Sequence, residues 1–113
     1  MEKRAQARFV RVSPRKARIV IDTIRGKMVD QALDQLRFTN RASARPIEKL
    51  LKSAVANMRN ADSTLDERSL VVSRCWVDQG PSISRWRPRA YGRATRIEKF
   101  TSHINLVLSD EVS

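Results

Sequence analysis

The sequence has few of the residues from which catalytic, metal and disulfide sites are built. It contains one histidine and one cysteine in 113 residues, so no disulfide can form within the chain. His103 has no metal-ligand partner nearby in sequence, and neither a nucleotide-binding glycine loop nor a zinc-type spacing is present. We therefore expect no catalytic residue, no metal site, no cofactor and no small-molecule substrate.

Long apolar runs are also absent from the sequence. The aliphatic run at residues 19–21, which no other run exceeds, falls far short of the roughly 20 residues that span a bilayer. No apolar stretch of signal-peptide length follows the first residues, and the lone Cys75 suits a reducing compartment. We therefore expect a cytoplasmic protein with no membrane partner.

What the sequence has instead is positive charge, concentrated in two zones. Lys and Arg number 23 against 12 Asp and Glu, which gives a net charge of +11. Residues 1–18 carry seven basic side chains and one acidic one, and residues 85–99 carry six basic side chains and Glu98. So many like charges repel one another unless a polyanion neutralises them. The distribution therefore indicates a nucleic-acid-binding protein.

The length and the spacing of apolar residues predict one domain over residues 1–113, with three helices. Ser13 and Pro14 signal the start of a helix, and Gly26 signals its end. Apolar residues recur at helical spacing in two further segments. The predicted helices are residues 14–25, 29–38 and about 42–60.

The third predicted helix carries a basic stripe opposite its apolar face. The stripe consists of Arg45, Lys49, Lys52 and Arg59. Ala56 lies within the stripe, and a small residue at that position lets a sugar–phosphate backbone approach closely. An ordinary solvated face is the alternative, but the net charge of the chain favours contact with nucleic acid.

Three strands complete the predicted body. They are a short strand over 7–12, a strand over 69–77 with a bulge near Ser73 and Arg74, and a strand over 101–108. The last strand places Ile104, Leu106 and Leu108 inward, with His103 and Asn105 outward. The predicted fold class is α+β, a small antiparallel three-stranded sheet packed against three helices with a long projecting β-hairpin. The body comprises about 5–79 and 100–110, and the arm about 80–99.

The arm has a sequence that a self-contained core does not have. Arg85, Arg87 and Arg89 recur at period two, so they share one side of an extended strand. The connection between the flanking strands is too long for an ordinary hairpin turn, which favours a twisted ribbon. An isolated two-stranded ribbon is marginally stable in water, so we expect the arm to become ordered against a polyanion. Trp86 and Tyr91 offer flat faces for stacking on unpaired bases.

Six segments of the sequence resemble one known family, large-subunit ribosomal protein twenty-two in its bacterial and plastid form. The resemblance runs in order from about Ala7 to Leu108. The segments are VRVSPRKAR at 10–18, IRGK at 24–27, LKSAVAN at 51–57, VDQGP at 77–81, RPRAYGRA at 87–94 and TSHI at 101–104.

The resemblance implies a structural constituent of the large ribosomal subunit that serves translation and aids subunit assembly. The implied partners are large-subunit ribosomal RNA, neighbouring large-subunit ribosomal proteins and the nascent peptide. The implied location is the cytoplasmic ribosome, or a plastid one. The resemblance also implies that the tip of the β-hairpin lines the peptide exit tunnel near the macrolide site. The implied tunnel-lining residues are Trp86, Arg87, Pro88, Arg89, Ala90, Tyr91, Gly92 and Arg93.

The charge pattern and the resemblance together define a set of candidate RNA-binding residues. They come from the N-terminal zone, the basic stripe, the arm and the final strand. They are Arg11, Ser13, Arg15, Lys16, Arg18, Arg25, Lys27, Arg45, Lys49, Lys52, Arg59, Arg85, Arg87, Arg89, Arg93, Arg96, Lys99 and His103.

The main alternative is an architectural DNA-binding protein with β-arms. Such a protein bends a duplex by inserting an arm residue such as Pro88, and it is expected to dimerise and to prefer duplex DNA. A nuclease is a more distant alternative, which metal-dependent cleavage by the purified chain would support.

Overall fold

The computed structural model describes residues 2–61, 69–88 and 94–110, with the backbone alone described for the strands at 83–88 and 94–99. The elements in chain order are β1 Glu2–Val10, α1 Pro14–Ile21, α2 Val29–Phe38, α3 Ala44–Ala61, β2 Val71–Gln79, β3 Ile83–Pro88, β4 Ala94–Lys99 and β5 Ser102–Ser109. Three helices and a three-stranded antiparallel sheet confirm the predicted α+β class.

The three-stranded sheet has the order β1-β5-β2, so its central strand comes from the C-terminal part of the described chain. Strand β5 runs antiparallel to both neighbours. Its inward residues Ile104, Leu106 and Leu108 have no exposed surface, as predicted. One apolar core joins these residues to side chains from β1, β2 and all three helices. The helices therefore cover one face of the sheet.

The opposite face of the sheet carries a polar network above Asn105. This residue lies on the predicted outward face, yet it is fully buried because other side chains cover it. Arg4 donates a 2.8 Å hydrogen bond to its side-chain oxygen, and the Arg4 guanidinium lies 5.5 Å from the centre of the Trp76 ring. The Asn105 amide nitrogen donates to Asp78 at 3.3 Å, so both of its polar atoms are paired.

Helix α1 is shorter than the predicted segment 14–25. After Ile21 the backbone makes tighter bonds, from Thr23 N–H to the Val20 carbonyl and from Ile24 N–H to the Ile21 carbonyl. This turn buries Ile24 completely in the core. Gly26 then adopts a φ of +79°, which a residue with a side chain rarely adopts, and its N–H donates to Val72 of β2. Docking onto the sheet therefore ends the helix before the glycine.

Helices α2 and α3 follow their apolar spacing closely. The bounds of α2 are those predicted, and its acidic and amide side chains are exposed. Helix α3 begins at Ala44 rather than at 42, because the Ala44 N–H closes a turn onto the Arg41 carbonyl first. Its predicted apolar face is buried, and Ala56 is exposed.

Within the residues that the structure describes, no helix has both the length and the apolar content required to cross a bilayer.

The two outer strands differ from prediction in different ways. Strand β1 starts at Glu2 rather than at 7 because it pairs with nearly all of β5, from Glu2 opposite Ser109 onward. Its charged start has little β propensity, so only this tertiary pairing explains it. Strand β2 is shifted to Val71–Gln79, and it has the predicted bulge between Val72 and Arg74.

Strands β3 and β4 form a separate two-stranded antiparallel ribbon. Their register runs from Ile83 opposite Lys99 to Pro88 opposite Ala94. Among the described elements, each ribbon strand neighbours the other and scarcely anything else. The Cα radius of gyration is 17.2 Å, against about 13 Å for a compact chain of this length. The predicted turn at Gly92 lies outside the described residues.

Candidate nucleic-acid interface

Three cationic side chains converge at the start of α1, in a depression that we call the basic depression. Arg11 and Lys16 line it together with Arg41 of the loop before α3. The remaining lining residues are Val12, Ser13, Ala42 and Ser43, and the volume is about 390 Å³. Among the described residues, none that lines the depression is acidic, so it is suited to an anion.

The local fold explains why these cations stay free. Within the described chain, the side chains of Arg11, Lys16 and Arg41 have no hydrogen bond or ion pair. Ser13 precedes α1 with extended backbone angles, and its hydroxyl makes no capping hydrogen bond. Ser43 ties the loop to α1 by donating to the Lys16 carbonyl at 3.5 Å. The Ser43 hydroxyl thus holds the loop against α1, while the three cationic side chains remain available to a ligand.

The sequence prediction included Arg11, Ser13 and Lys16 but missed Arg41. Arg41 lies in a short loop between α2 and α3, outside both basic zones and outside the predicted stripe. Only the packing of that loop against α1 brings it to the other two cations. No spacing rule along the chain carries this information.

Two other predicted arginines, Arg18 on α1 and Arg25 in the turn after it, bind carbonyls of β2, and we call this contact the seam. Arg18 donates to the Val77 carbonyl at 3.0 and 3.3 Å. Arg25 donates to the Cys75 carbonyl at 3.0 Å and pairs with Asp22 at 2.8 Å. The hydrogen bond that Arg25 donates to Asp22 raises the pKa of Arg25, so the guanidinium stays charged. A guanidinium has five N–H donors, so each residue keeps donors for a second partner.

The buried thiol of Cys75 belongs to the same seam. The residue is 4% exposed, and its thiol donates to the Ile21 carbonyl at 3.6 Å. Burial raises the pKa of the thiol, and the nearby charge of Arg25 partly opposes that shift. This arrangement agrees with a small structural residue on a strand.

The basic stripe of α3 is partly neutralised inside the protein. Arg45 donates to the Leu36 and Thr39 carbonyls, which caps the end of α2. Glu48 takes one ion pair from Arg45 at 3.0 Å and another from Lys52 at 3.2 Å. Lys49 is exposed and has no ion pair within the described residues. Glu48 lies at helical spacing from both cations, and the sequence prediction of a free basic stripe omitted it.

Lys49 instead joins a groove between β1 and α3. The groove measures about 720 Å³ and has apolar walls from both elements. Arg4, Arg45 and Lys49 line it, together with four uncharged residues from each of the two elements. Arg4 was not predicted as a site residue, although it falls within the basic N-terminal zone.

His103 lies where the body meets the arm. Its Nδ1 accepts a 3.1 Å hydrogen bond from the Phe9 N–H. The contact sits at an irregularity in β1, between Ala7 and Val10, where two residues face one on β5. Phe9 has a φ of 56°, the one positive value among described non-glycine residues. Such a conformation costs about 1–3 kcal/mol for a bulky residue. No pattern in the sequence predicted this strained phenylalanine.

The arm residues are described by their backbone register. Arg85 lies opposite Ile97, Arg87 opposite Thr95, and Trp86 opposite Arg96. Positions 85 and 87 thus alternate with position 86, as the predicted period of two requires. Lys99 stands opposite Ile83 at the base of the ribbon. The other predicted arm residues lie outside the described part of the chain: Arg89, Ala90, Tyr91, Gly92 and Arg93.

The remaining candidates are not all near the arm. Arg15 is exposed on α1. Lys27 is beside Val72, because its carbonyl accepts from the Val72 N–H, whereas the arm leaves β2 after Gln79. Seven residues of strand separate these positions by about 23 Å. The candidates therefore spread over several surfaces rather than forming one patch.

Comparison with known proteins identifies relatives along almost the whole chain. The family model described as ribosomal protein L22p/L17e matches residues 5–109. The large ribosomal subunit protein uL22 of Syntrophobacter fumaroxidans is 52% identical over 111 residues, which cover 98% of this chain and 100% of the relative. The large ribosomal subunit protein uL22 of Desulforamulus reducens is also 52% identical over 111 residues, covering 98% of this chain and 97% of the relative.

Proposed function

The chain belongs to the ribosomal protein L22p/L17e family, and on that basis we propose that it is a structural, non-catalytic constituent of the large ribosomal subunit. It binds large-subunit ribosomal RNA through the basic surfaces of the body and the arm. Its location is the ribosome, in the cytoplasm of a bacterium. The whole of residues 1–113 acts as one unit, a body with a projecting arm.

The basic depression carries the RNA-binding part of this proposal. Arg11, Lys16 and Arg41 converge without an acidic neighbour among the lining residues. A net charge of +11 favours a polyanion, and three converging donors suit the oxygens of a phosphate. Release of counterions from the phosphates supplies affinity that does not depend on sequence.

The arm supplies the second contact surface. A ribbon with two strands and scarcely any neighbour among the described elements is marginal in water, so an external partner stabilises it. We propose that ribosomal RNA is that partner and that the arm threads between RNA segments during assembly. Its tip, 86–93, then lines the peptide exit tunnel and meets the nascent peptide. Neighbouring large-subunit proteins contact the body.

A competition assay tests this function against the DNA alternative. Labelled, structured large-subunit ribosomal RNA is bound to the purified chain and displaced with either unlabelled RNA or duplex DNA, at several salt concentrations. We expect the RNA to compete at lower concentration. Preferential displacement by duplex DNA would reject the ribosomal proposal in favour of an architectural DNA protein.

An arm variant tests where the phosphates are contacted. Replacing Arg85, Arg87 and Arg89 with Ala removes three charges, and each lost phosphate contact lowers the log–log salt slope by about 0.7–0.9. We expect a loss of about 2–3 in that slope. The matched control replaces Lys3, Arg37 and Arg74, which are exposed cations outside the candidate set. An unchanged slope in the arm variant would exclude these residues from the interface, and an equal loss in the control would show only an effect of net charge.

Cosedimentation tests the assembly claim directly. The chain should remain with large ribosomal subunits after a wash at high salt, because a threaded arm resists dissociation more than a surface contact does. Complete release by the wash would contradict a threaded arm.

A further inference from the structure

Phe9 is an exposed aromatic ring held in an unfavourable backbone conformation. The residue is 57% exposed, and its φ of 56° lies in the left-handed region. Phenylalanine is a poor residue for this region, where glycine or asparagine fits with less strain. Strain of this kind persists only where the surrounding structure imposes it, and it concentrates at functional sites.

The surrounding structure does impose the conformation. The bulge in β1 frees the Phe9 N–H from the ladder, and His103 Nδ1 accepts that N–H at 3.1 Å. The two rings meet edge to face, with centres 4.9 Å apart and planes at 89°. The Phe9 ring is therefore fixed in direction, although the residue is more than half exposed.

Gly80, at the base of the arm, lies close to His103. A Cβ at Gly80 would lie 3.3 Å from His103 Cε1 and 2.4 Å from Thr101 Oγ1, so only glycine fits. The Gly80 N–H donates to the Thr101 carbonyl at 2.9 Å, and Thr101 Oγ1 donates to the Pro81 carbonyl at 2.7 Å. The orientation of Phe9 is thus tied to the point where the arm leaves the body.

We propose that Phe9 is a stacking platform for one unpaired base of RNA, positioned by His103 at the root of the arm. This inference rests on the proposed function, and it adds a base-stacking contact to an interface that otherwise consists of phosphate contacts. Unpaired bases stack on aromatic side chains whatever their identity, because every base has a flat face. A fixed ring loses little freedom when a base binds to it.

The charge around Phe9 favours RNA over a protein as the occupant. The Arg8 guanidinium lies 5.6 Å from the centre of the Phe9 ring, and Arg11 follows two residues later. A cation close to the ring can pair with the phosphate of the nucleotide whose base is stacked. A protein partner with an apolar surface has no use for these flanking charges.

The substitution Phe9→Gly affects RNA affinity and protein stability in different ways, because glycine relieves the backbone strain but removes the ring. We expect Phe9→Gly to weaken the affinity for structured large-subunit ribosomal RNA on the order of tenfold. Its salt slope should stay unchanged, since no phosphate contact is lost. Its melting temperature should be no lower than that of the unaltered chain. Phe9→Tyr keeps a ring and should bind RNA within about twofold of the unaltered chain.

The results also separate this inference from the proposed function. If the unaltered chain fails to bind RNA, the proposed function itself is wrong. If it binds and Phe9→Gly binds equally well, only the stacking platform is rejected. A fall in affinity that Phe9→Tyr shares, with a lowered melting temperature, would assign Phe9 a purely structural role and reject the platform as well.

Crosslinking gives a readout that a structural role cannot produce. Short-wavelength ultraviolet light joins a stacked base to the ring without a linker, and trypsin then cleaves after Arg8 and Arg11. We expect a nucleotide mass on the peptide that starts at Phe9. Crosslinks to the same RNA at other peptides, with none at this one, would overturn the proposal.

Discussion

The seam and the basic depression use the same kind of residue for opposite purposes, although both include residues of α1. In the seam, Arg18 lies against β2 and finds a backbone carbonyl to bind. In the depression, Lys16 lies beside Arg11 and Arg41, and its side chain has no acceptor among the described residues. The position of a cation relative to the sheet therefore decides whether it stabilises the fold or stays available to a partner.

The largest expected effect comes from removing the three positive charges of the basic depression. Replacing Arg11, Lys16 and Arg41 with Gln should lower RNA affinity on the order of a hundredfold at about 0.15 M salt, because three phosphate contacts are lost. The unfolding free energy should hardly change, since these side chains have no partner among the described residues. Filter binding across a salt series and urea unfolding measure the two quantities.

The seam double variant is the matched control for that experiment. Arg18→Gln with Arg25→Gln also removes charge from the α1 region, but from groups that bind carbonyls. If it flattens the salt slope as strongly per charge removed as the depression variant, the two regions do not differ in function.

Gly80→Ala should have the next largest effect, and it acts where the body meets the arm. The new Cβ would lie 2.4 Å from Thr101 Oγ1, which holds the Pro81 carbonyl. Overpacking of this kind typically costs about 1–3 kcal/mol. Urea unfolding measures the loss. Gly26→Ala provides a contrast, because a Cβ there meets nothing within 4 Å and only the φ of +79° is unfavourable.

Arg18→Gln alone should lower the unfolding free energy by about 1 kcal/mol, because the Val77 carbonyl loses a charged donor. The measurement is urea unfolding at neutral pH. Lys16→Gln is the control from the other region, and no change in its stability is expected. Equal losses in both variants would erase the distinction between the seam and the depression.

The smallest expected effect is a dependence of stability on pH through Cys75. Burial raises the pKa of its thiol in the folded chain, so the folded state holds that proton more tightly than the unfolded state. This contribution is complete below the unfolded pKa and is lost as the pH rises through the folded pKa. The unfolding free energy should therefore fall with rising alkaline pH more in the unaltered chain than in Cys75→Ala. Parallel curves would show that the seam does not shield the thiol.

Local signals predicted the helices well where caps and apolar spacing agree. Helix α2 has its predicted bounds, and the bulge near Ser73 was inferred from a break in alternation. Helix α1 was predicted too long because Gly26 marks the end of a turn that docks on Val72, not the end of the helix. Strand β1 was predicted too short because its first residues are charged and pair only through tertiary contact.

The candidate site was less predictable because charge alone does not reveal partners within the protein. Arg45 was grouped with Lys49, yet it caps α2 and pairs with Glu48 while Lys49 stays exposed. Arg41 and Phe9 were missed because their roles depend on a loop and a bulge that packing creates. Sequence reasoning finds the charge of an interface more readily than its geometry.

The central position of β5 has a consequence for how the protein is made. Strands β1 and β2 each pair with β5 and not with each other, and β5 follows the arm in the chain. The sheet therefore cannot assemble during synthesis until the arm has been translated, and the pairing of Ala5 with Leu106 must close a very long loop. Contacts so distant in sequence slow folding. The newly made chain thus carries its basic arm before the sheet of the body has formed. The unpaired strands β1 and β2 are exposed at this stage, so a folding partner or RNA would protect the chain most then.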